Sequence, residues 1–196
     1  MTRMQQKKHD RQQQIAHIAW QLFTEHGYEK VTTRQVSEAA DIATGTLFLY
    51  AENKGALLVL AFEDALRTAS TPHASLPEHP LEALLVLFGG PLHLYAKHRT
   101  LARHFLVEVL RNPSSDVTTS NLMGFLERIE GVLALAQQQK RLDPQVNVRQ
   151  AAQNLFGIYL MVIMQWLPTD QDLERVQHTL RQAFELQWKG LQPCES

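Results

Sequence analysis

The sequence has only one cysteine and almost no net charge. Cys194 has no second cysteine to pair with, so an internal disulfide is excluded and a reducing compartment is expected. The 196 residues carry a formal charge of −1, which gives no support to nucleic-acid binding, because such proteins are often basic overall. Basic residues are instead concentrated at the N-terminus, where they form either an arm for a groove or backbone or a solvated, partly disordered tail: Arg3, Lys7, Lys8 and Arg11.

Long apolar runs and strand patterns are also lacking. No run reaches the ~20 apolar residues that a membrane-spanning helix needs, and the first residues are polar with no secretion segment. We therefore expect a cytoplasmic protein without a membrane partner. Strand signals are absent throughout, whereas apolar residues at spacings of three and four recur along the chain. This pattern predicts an all-α fold.

Motifs that carry catalysis or hold a metal are missing as well. The nine histidines form no Glu-x-x-His or His-x-x-x-His, and there is no Cys-x-x-Cys, Gly-x-Ser-x-Gly or phosphate-binding glycine loop. His104 and Glu108 share one helix face and are interpreted either as a structural pair or as a polar spot facing a ligand. We therefore expect no enzyme activity, no metal and no cofactor.

The segment 32–54 contains two short helical patterns separated by a tight polar turn. Thr32 can accept a hydrogen bond near Gln35 while Gln35 reaches back, an exchange that satisfies two free amides at a helix start. Asp41 lies in the turn, where a left-handed backbone is expected. A preceding helix is predicted over residues 9–26, and its end is the glycine at position 27.

The second half of this segment predicts two further helix starts. Thr44 is predicted to cap a helix of residues 45–50, whose first turn exposes only small or hydroxyl-bearing residues. Asn53 is predicted to cap a third helix at Lys54, where free amides, the helix dipole and an ammonium group can meet one phosphate. This order of elements indicates a helix-turn-helix, although the same pattern is common in all-α proteins that never meet DNA.

A set of short motifs at fixed spacing strengthens the DNA-binding interpretation. The motifs are Leu22-Phe23, Gly27-Tyr28, Thr32-Thr33, Ala39-Ala40, Gly45-Thr46-Leu47-Phe48, Tyr50, Asn53-Lys54 and Leu57-Leu58. With them, roughly the first third of the chain resembles the DNA-binding domain of the tetracycline-repressor (TetR) family of bacterial regulators. Three positions depart from the family's pattern: Phe48 stands where Tyr is common, Asp41 where Gly is common and Ala51 where Phe is common.

The resemblance, together with the surface of the second helix, predicts which residues contact double-stranded DNA. Six are expected in the major groove: Thr33, Arg34, Thr44, Gly45, Thr46 and Leu49. Arg34 is the best candidate for reading a base, because an arginine can bond guanine with two hydrogen bonds. Tyr50 and Lys54 are expected to hold phosphates.

Prolines, serine, threonine and histidine between residues 70 and 80 predict a domain boundary. We expect a DNA-binding helix-turn-helix domain at 1–54, a connecting helix at 54–69 and a larger helical domain for ligand binding and dimerisation at 70–196. Within the larger domain, Gly89-Gly90-Pro91 should kink or break a helix over residues 81–97.

Apolar and aromatic residues of the central helices are compatible with a ligand pocket between the helix at 81–97 and a long helix at 115–142. Core packing is the alternative for each of them. The predicted lining is Phe88, His93, Tyr95, Phe105, Met123, Phe125, Phe156, Tyr159 and Met164.

The last two helical patterns, 148–167 and 170–188, have more apolar surface than one subunit can cover. In the family that the chain resembles, such helices pair with their twins in a dimer. The predicted interface is Leu155, Tyr159, Val162, Trp166, Leu173, Val176, Leu180, Phe184 and Trp188.

Taken together, the residues and the resemblance imply an all-α, homodimeric transcriptional regulator. We expect a repressor that binds a pseudo-palindromic operator and is released by a small apolar or amphipathic effector. Two alternatives remain: a helical carrier or small-molecule-binding protein without a DNA role, and a helical enzyme.

Overall fold

The computed structural model of the chain describes residues 3–71, 75–111 and 116–193, with the backbone alone at 116–119. Within these ranges the chain is helical with no strand, which confirms the predicted all-α fold. Cys194 lies outside the described residues. In chain order the helices are α1 Arg3–His26, α2 Thr33–Ala39, α3 Thr44–Leu47, α4 Lys54–Ala69, α5 Pro80–Lys97, α6 Arg99–Arg111, α7 Asp116–Gln138, α8 Val148–Trp166 and α9 Leu173–Lys189.

The helices form two compact units that are not continuous in sequence. Unit 1 takes in the chain up to Thr68 together with His98–Thr119, so it contains α1 to α4 and α6. Unit 2 takes in Ala69–Lys97 and the chain from Ser120 onward, so it contains α5, α8, α9 and most of α7. Helix α6 lies in unit 1, whereas the predicted division of the chain put this segment in the larger domain at 70–196.

Helix α1 is longer than the sequence pattern predicts. It begins at Arg3, so the basic N-terminal residues are part of a regular helix and form neither an extended arm nor a tail. The helix ends where predicted: Gly27 has a φ of 81° and its amide donates to the carbonyl of Phe23 at 3.0 Å. A left-handed residue at this position is easiest for glycine, which has no Cβ.

The predicted capping signals of the helix-turn-helix are present. Thr32 and Gln35 form both hydrogen bonds of a capping box at the start of α2. Asp41 has a φ of 52°, which confirms the predicted left-handed turn residue, and the next amide bonds back to the carbonyl of Ser37 at 3.0 Å. The Asn53 side chain accepts from the amide of Ala56 at 2.9 Å and so caps α4.

The prediction for α3 was wrong in two respects. Ala43, not Thr44, is the N-cap residue and makes no side-chain hydrogen bond, and the helix stops at Leu47 before a turn that leads to Tyr50. The Thr44 hydroxyl instead lies 2.9 Å from that of Ser37 on α2. This contact competes with capping and joins the two helices of the motif.

Aromatic rings join α6 to the rest of unit 1. Phe105 on α6 stacks on Phe62 of α4 with ring centroids 4.4 Å apart, and Trp20 of α1 meets the edge of Phe62 at 5.4 Å. Phe62 and Phe105 are both buried. Buried aromatic pairs stabilise a fold by more than the apolar area that they bury. Helix α6 is therefore an integral part of the core that carries the DNA-binding motif.

Helix α5 is not broken at its Gly-Gly-Pro segment, contrary to one of the two predicted outcomes. Pro91 lies inside a helix that continues to Lys97. Proline removes one helical hydrogen bond, but Pro91 is buried with Leu87 and Leu92, so packing of the apolar face holds the helix together. Gly90 has a separate role, because a Cβ there would overlap the carbonyl oxygen of Ala69 at the end of α4.

Helices α8 and α9 pack against each other, and α9 also packs against α5. Arg181 of α9 donates to both carboxylate oxygens of Glu82 on α5, at 2.6 and 2.8 Å. These hydrogen bonds lower the pKa of Glu82. A two-point contact between a guanidinium and a carboxylate fixes the register of α9 on α5.

Candidate functional site

The predicted DNA-contacting residues lie on α2, on α3, in the turn after α3 and at the start of α4. They differ in exposure: Arg34, Gly45 and Leu49 are exposed, whereas Thr33, Thr44, Thr46, Tyr50 and Lys54 are half-buried. A Cβ added at Gly45 would have nothing within 4 Å. Together with Leu49, which is 77% exposed, this leaves an open surface of small and apolar groups at α3. Such a surface can lie against base edges and thymine methyl groups.

Arg34 is exposed but is held by a neighbour on its own helix. Its Nε donates to the Glu38 carboxylate at 2.8 Å, one turn along α2. Exposed pairs of this kind contribute little to stability, so the guanidinium can exchange the carboxylate for a base at small cost. The same carboxylate would repel the phosphates of a bound duplex.

Lys54 lies at the first turn of α4, and its ammonium group contacts the loop between α1 and α2. Its Nζ donates to the carbonyl of Glu29 at 3.0 Å and lies 4.4 Å from the ring centroid of Tyr28. Lysine has three N–H donors, so one hydrogen bond leaves two for a phosphate. The arrangement orients Lys54 without saturating it.

Helix α6 contacts the same loop. The imidazole of His104 lies 4.5 Å from the ring centroid of Tyr28, and its Nε2 is 3.9 Å from the carboxylate of Glu29. Glu108, one turn along, binds Arg111 at 2.9 Å and lies so close to Gly55 of α4 that a Cβ there would overlap it. Both histidine and glutamate therefore have structural partners within unit 1, and any shift of α6 acts on the loop and on the start of α4.

Unit 2 contains a cluster of aromatic rings contributed by α5, α7, α8 and α9. Phe88 is its centre: its ring centroid lies 5.0 Å from Phe125, 4.9 Å from Tyr159 and 4.9 Å from Phe184. Phe156 meets Phe125 and Tyr159 at the half-buried edge of the cluster. We call these five residues the aromatic cluster.

The aromatic cluster contains one polar atom without a partner. The hydroxyl of Tyr159 is buried, and no hydrogen-bonding group among the described residues reaches it. Burial, and secondarily the Tyr95 phenol, holds the pKa of Tyr159 well above its usual range, so the hydroxyl stays a neutral donor. A buried unpaired hydroxyl costs about 1–3 kcal/mol, which a ligand with an acceptor atom can recover.

Arg128 of α7 is a second polar group beside the aromatic cluster. Its guanidinium carbon lies 5.5 Å from the ring centroid of Phe125, and its Nε is buried with no hydrogen-bond partner among the described residues. Desolvation lowers the pKa of Arg128, although the group remains a cation. An anionic ligand group beside it would relieve that desolvation.

Comparison with known proteins identifies the family of the chain. Residues 15–61 match the sequence model of the family described as bacterial regulatory proteins, tetR family. This segment is a TetR-family DNA-binding segment. The match runs from α1 into α4 and so spans the helix-turn-helix, and the protein is a DNA-binding transcriptional regulator.

Similar proteins match this regulator over nearly its whole length. A fatty acid metabolism regulator protein of Bacillus subtilis (strain 168) is 24% identical over 179 residues, covering 87% of this chain and 90% of the relative. The fatty acid degradation regulator FadR of Bacillus halodurans is 23% identical, covers 91% of this chain and 98% of its own, and superposes with a TM-score of 0.58. FadR of Thermus thermophilus, solved in complex with lauroyl-CoA, is 20% identical, covers 94% and 97%, and has a TM-score of 0.66. At these identities the solved structures show the fold alone.

The predicted ligand-lining residues of this regulator are only partly brought together. Phe88, Phe125, Phe156 and Tyr159 form the aromatic cluster, with Tyr95 buried nearby in unit 2. Phe105 instead packs on Phe62 in unit 1. His93, Met123 and Met164 are exposed, and His93 bonds the carbonyl of Gly89 on its own helix. Phe184, which was predicted for the dimer interface, and Arg128 were not among the predicted lining residues but lie at the aromatic cluster, and neither has a sequence signal that separates it from ordinary core or surface.

The predicted dimer residues of this regulator lie inside a single chain. All are buried except Leu173, which is half-buried: Leu155, Tyr159, Val162, Trp166, Val176, Leu180, Phe184 and Trp188. They are side chains of α8 and α9, two helices that pack against each other within the chain.

An exposed apolar stripe does exist on the outer side of α8. Leu160, Met161 and Met164 are 36%, 57% and 52% exposed, and Gly157 is exposed one turn before them. Their spacing places them on one helix face. The sequence could not distinguish this stripe from the inner one, because α8 is apolar nearly all round.

Two further findings concern the described part of the chain. It contains no group of three or more His, Cys, Asp or Glu side chains arranged to hold a metal ion. None of its helices combines the length and apolar character required to cross a membrane.

Proposed function

We propose that this regulator is a repressor, acting in the cytoplasm, whose effector is a fatty acyl thioester of the acyl-coenzyme A class. The relatives supply the chemical class, since they regulate fatty acid metabolism and one was solved with lauroyl-CoA. The observation that carries the proposal for this chain is the aromatic cluster. It offers buried apolar surface with a single unpaired donor, the hydroxyl of Tyr159.

The proposed ligand has one acceptor group for each of the two unpaired polar groups at the aromatic cluster, the hydroxyl of Tyr159 and the Nε of Arg128. The acyl chain packs against the rings of Phe88 and Phe125, which lie on different helices and are separated by only 5.0 Å. The hydroxyl of Tyr159 donates to the thioester carbonyl. Arg128, with its buried unpaired Nε, pairs with a phosphate of the coenzyme A group. A ligand of this kind satisfies two groups that the described residues leave unsatisfied.

On the DNA side, we propose that α3 and the exposed part of α2 read the operator. Arg34 exchanges Glu38 for a guanine, and Leu49 contacts bases through apolar surface. Lys54, already oriented by Glu29 and Tyr28, directs its remaining N–H groups to a phosphate. The base contacts determine specificity and the lysine contributes affinity for any sequence.

Release requires only that the acyl thioester binds the DNA-free arrangement more tightly than the DNA-bound one. The chain passes between the two units after Thr68, after Lys97 and after Thr119. The second passage leads directly into α6, whose His104 and Glu108 contact the loop and the helix start that hold Lys54. We propose that α6 carries the change from the effector to the DNA-binding motif.

The decisive experiment is a titration of lauroyl-CoA into the regulator bound to the chromosomal fragment upstream of its own gene. We expect operator affinity to fall by roughly 5–150-fold, the range of about 1–3 kcal/mol typical of allosteric coupling. Coenzyme A without an acyl chain is the matched control and should leave the complex intact. If lauroyl-CoA raises the melting temperature but leaves operator affinity unchanged, the effector role is wrong. If the fragment is not bound at all, the operator assignment is wrong.

We also propose that the regulator is a homodimer and that the outer stripe of α8 is the interface. Leu160, Met161 and Met164 place flexible apolar side chains on one face, and Gly157 lets a second backbone approach closely. A helix crossing its twin at this stripe would remove these side chains from water. Two DNA-binding motifs related by a two-fold axis would then meet two half-sites of a pseudo-palindromic operator.

Met161→Asp is expected to dissociate the dimer while each subunit stays folded. An aspartate at the centre of the stripe would leave a charge buried and unpaired between two subunits, at a cost of several kcal/mol. Light scattering and circular dichroism should show a folded monomer. Leu135→Asp is the control, since Leu135 of α7 is similarly exposed, and it should remain dimeric.

Phe184→Asp gives the contrasting result. Phe184 is fully buried among α5, α8 and α9, so the substitution should unfold unit 2 rather than dissociate a dimer.

The Met161→Asp variant decides where the interface lies. If that variant stayed dimeric, the outer stripe of α8 would not be the interface.

A further inference from the structure

The first turns of α1 and the turn after α3 enclose a cleft that the helix-turn-helix does not use. It has a volume of about 530 Å³ and is open to solvent. Lys7, Lys8, Arg11 and Gln14 line it from α1, and Tyr50 lines it from the other side. Residues 7, 11 and 14 are spaced one turn apart, so they share a helix face.

The charge of this cleft is strongly positive relative to the rest of the chain. Lys7, Lys8 and Arg11 contribute three positive charges and Asp10 one negative charge, so the lining carries +2, whereas the whole chain carries −1. Asp10 is occupied by a hydrogen bond from Gln6 at 2.8 Å. Arg11 donates to Gln14 at 3.1 Å, which uses one of its five N–H groups.

These cations also lie close to one another on their helix. Lys7 and Arg11 are four residues apart on α1, and like charges at this spacing destabilise a helix. Such an arrangement costs stability in the free protein, and a bound anion would offset that cost.

We propose that this cleft binds the sugar–phosphate backbone of the operator, next to the groove that α3 enters. The proposal rests on the DNA-binding function and extends its contact surface to Lys7, Arg11 and Gln14, outside the helix-turn-helix. Tyr50 makes the two surfaces continuous, because it follows α3 directly and also lines the cleft. Lysine, arginine and tyrosine side chains are ordinary phosphate ligands. The contact therefore adds affinity and register without sequence preference.

The test is the salt dependence of DNA binding by the Lys7→Ala/Arg11→Ala double variant. Each phosphate contact contributes about 0.9 to the slope of log affinity against log salt, so the slope should fall by about 1.8. The affinity at 0.1 M salt should fall roughly tenfold to sixtyfold by the same relation. The fall should be equal for the upstream fragment and for unrelated duplex, so the preference between them is unchanged.

Lys97→Ala/Arg149→Ala is the matched control, because it removes the same charge from two exposed positions of unit 2. Its slope should stay close to that of the wild type. The melting temperature provides a second readout: loss of Lys7 and Arg11 should raise it slightly, since the repulsion between these two like charges one turn apart is relieved.

A double variant whose slope equals that of the control would overturn the cleft contact while leaving the DNA-binding function intact. Loss of preference for the upstream fragment would also overturn it, because the residues would then read bases. If the wild type binds neither duplex, both the cleft contact and the operator function are wrong.

Discussion

Tyr159→Phe is expected to make the free regulator more stable and its effector binding weaker. The hydroxyl of Tyr159 is buried without a partner, so removing it should raise the free energy of unfolding by about 1–3 kcal/mol. The same hydroxyl is the proposed donor to the thioester carbonyl. Its loss should weaken lauroyl-CoA binding by roughly tenfold to a hundredfold, since 1.4 kcal/mol corresponds to tenfold. Chemical denaturation and calorimetric titration measure the two effects separately.

The opposite signs of these two effects make the result specific. A tyrosine whose hydroxyl served only the fold would lose stability on conversion to phenylalanine, and one that merely filled space would change neither quantity. Tyr28→Phe is the control: it removes a phenol from unit 1, outside the aromatic cluster, and should not alter effector affinity. A Tyr159→Phe variant that binds lauroyl-CoA as the wild type does would exclude the hydroxyl as a ligand contact.

Unequal exposure on α8 explains why the local capping and turn structure could be predicted better than which apolar face of α8 is buried within the chain. A capping box between Thr32 and Gln35, or a left-handed Asp41, involves groups a few residues apart, so local sequence is enough to predict it. The outer and inner stripes of α8 are both apolar. Which stripe faces its own chain depends on the position of α9, which no local pattern specifies.

Contacts between residues far apart in the sequence explain why the position of α6 in unit 1 could not be predicted. Phe62 and Phe105 stack although they are far apart in the chain, and this contact makes α6 part of unit 1. The apolar stripe of α6 predicts that the helix is buried on one side but not what it packs against. Glu29 and His104 likewise come together only in the folded unit. The coupling proposed between effector and DNA passes through these contacts, so it could not be derived from the sequence.

The pair Gly89 and Gly90 on α5 provides a test of how the end of α4 is held. A Cβ at Gly90 would overlap the carbonyl oxygen of Ala69, a backbone atom that cannot rotate away, whereas a Cβ at Gly89 would meet nothing within 4 Å. Helix α4 begins at Lys54 beside the DNA-binding motif and ends at Ala69 in unit 2. Gly90 therefore sets how closely the carbonyl of Ala69 approaches α5 within unit 2.

Gly90→Ala is expected to lower the free energy of unfolding by about 1–3 kcal/mol, because overpacking forces the backbone at Ala69 to move. Gly89→Ala should raise it by about 0.5–1 kcal/mol, since alanine is the better helix former and has space there. The two variants differ by one position and carry the same added methyl group, so denaturation curves compare them directly.

Gly90→Ala should also change operator affinity, because displacing Ala69 displaces the helix that begins at Lys54, while Gly89→Ala should not. Equal stability of the two variants would mean that the end of α4 does not rest against Gly90. A destabilised Gly90→Ala variant with unchanged operator affinity would mean that α4 does not carry the displacement to the DNA-binding motif.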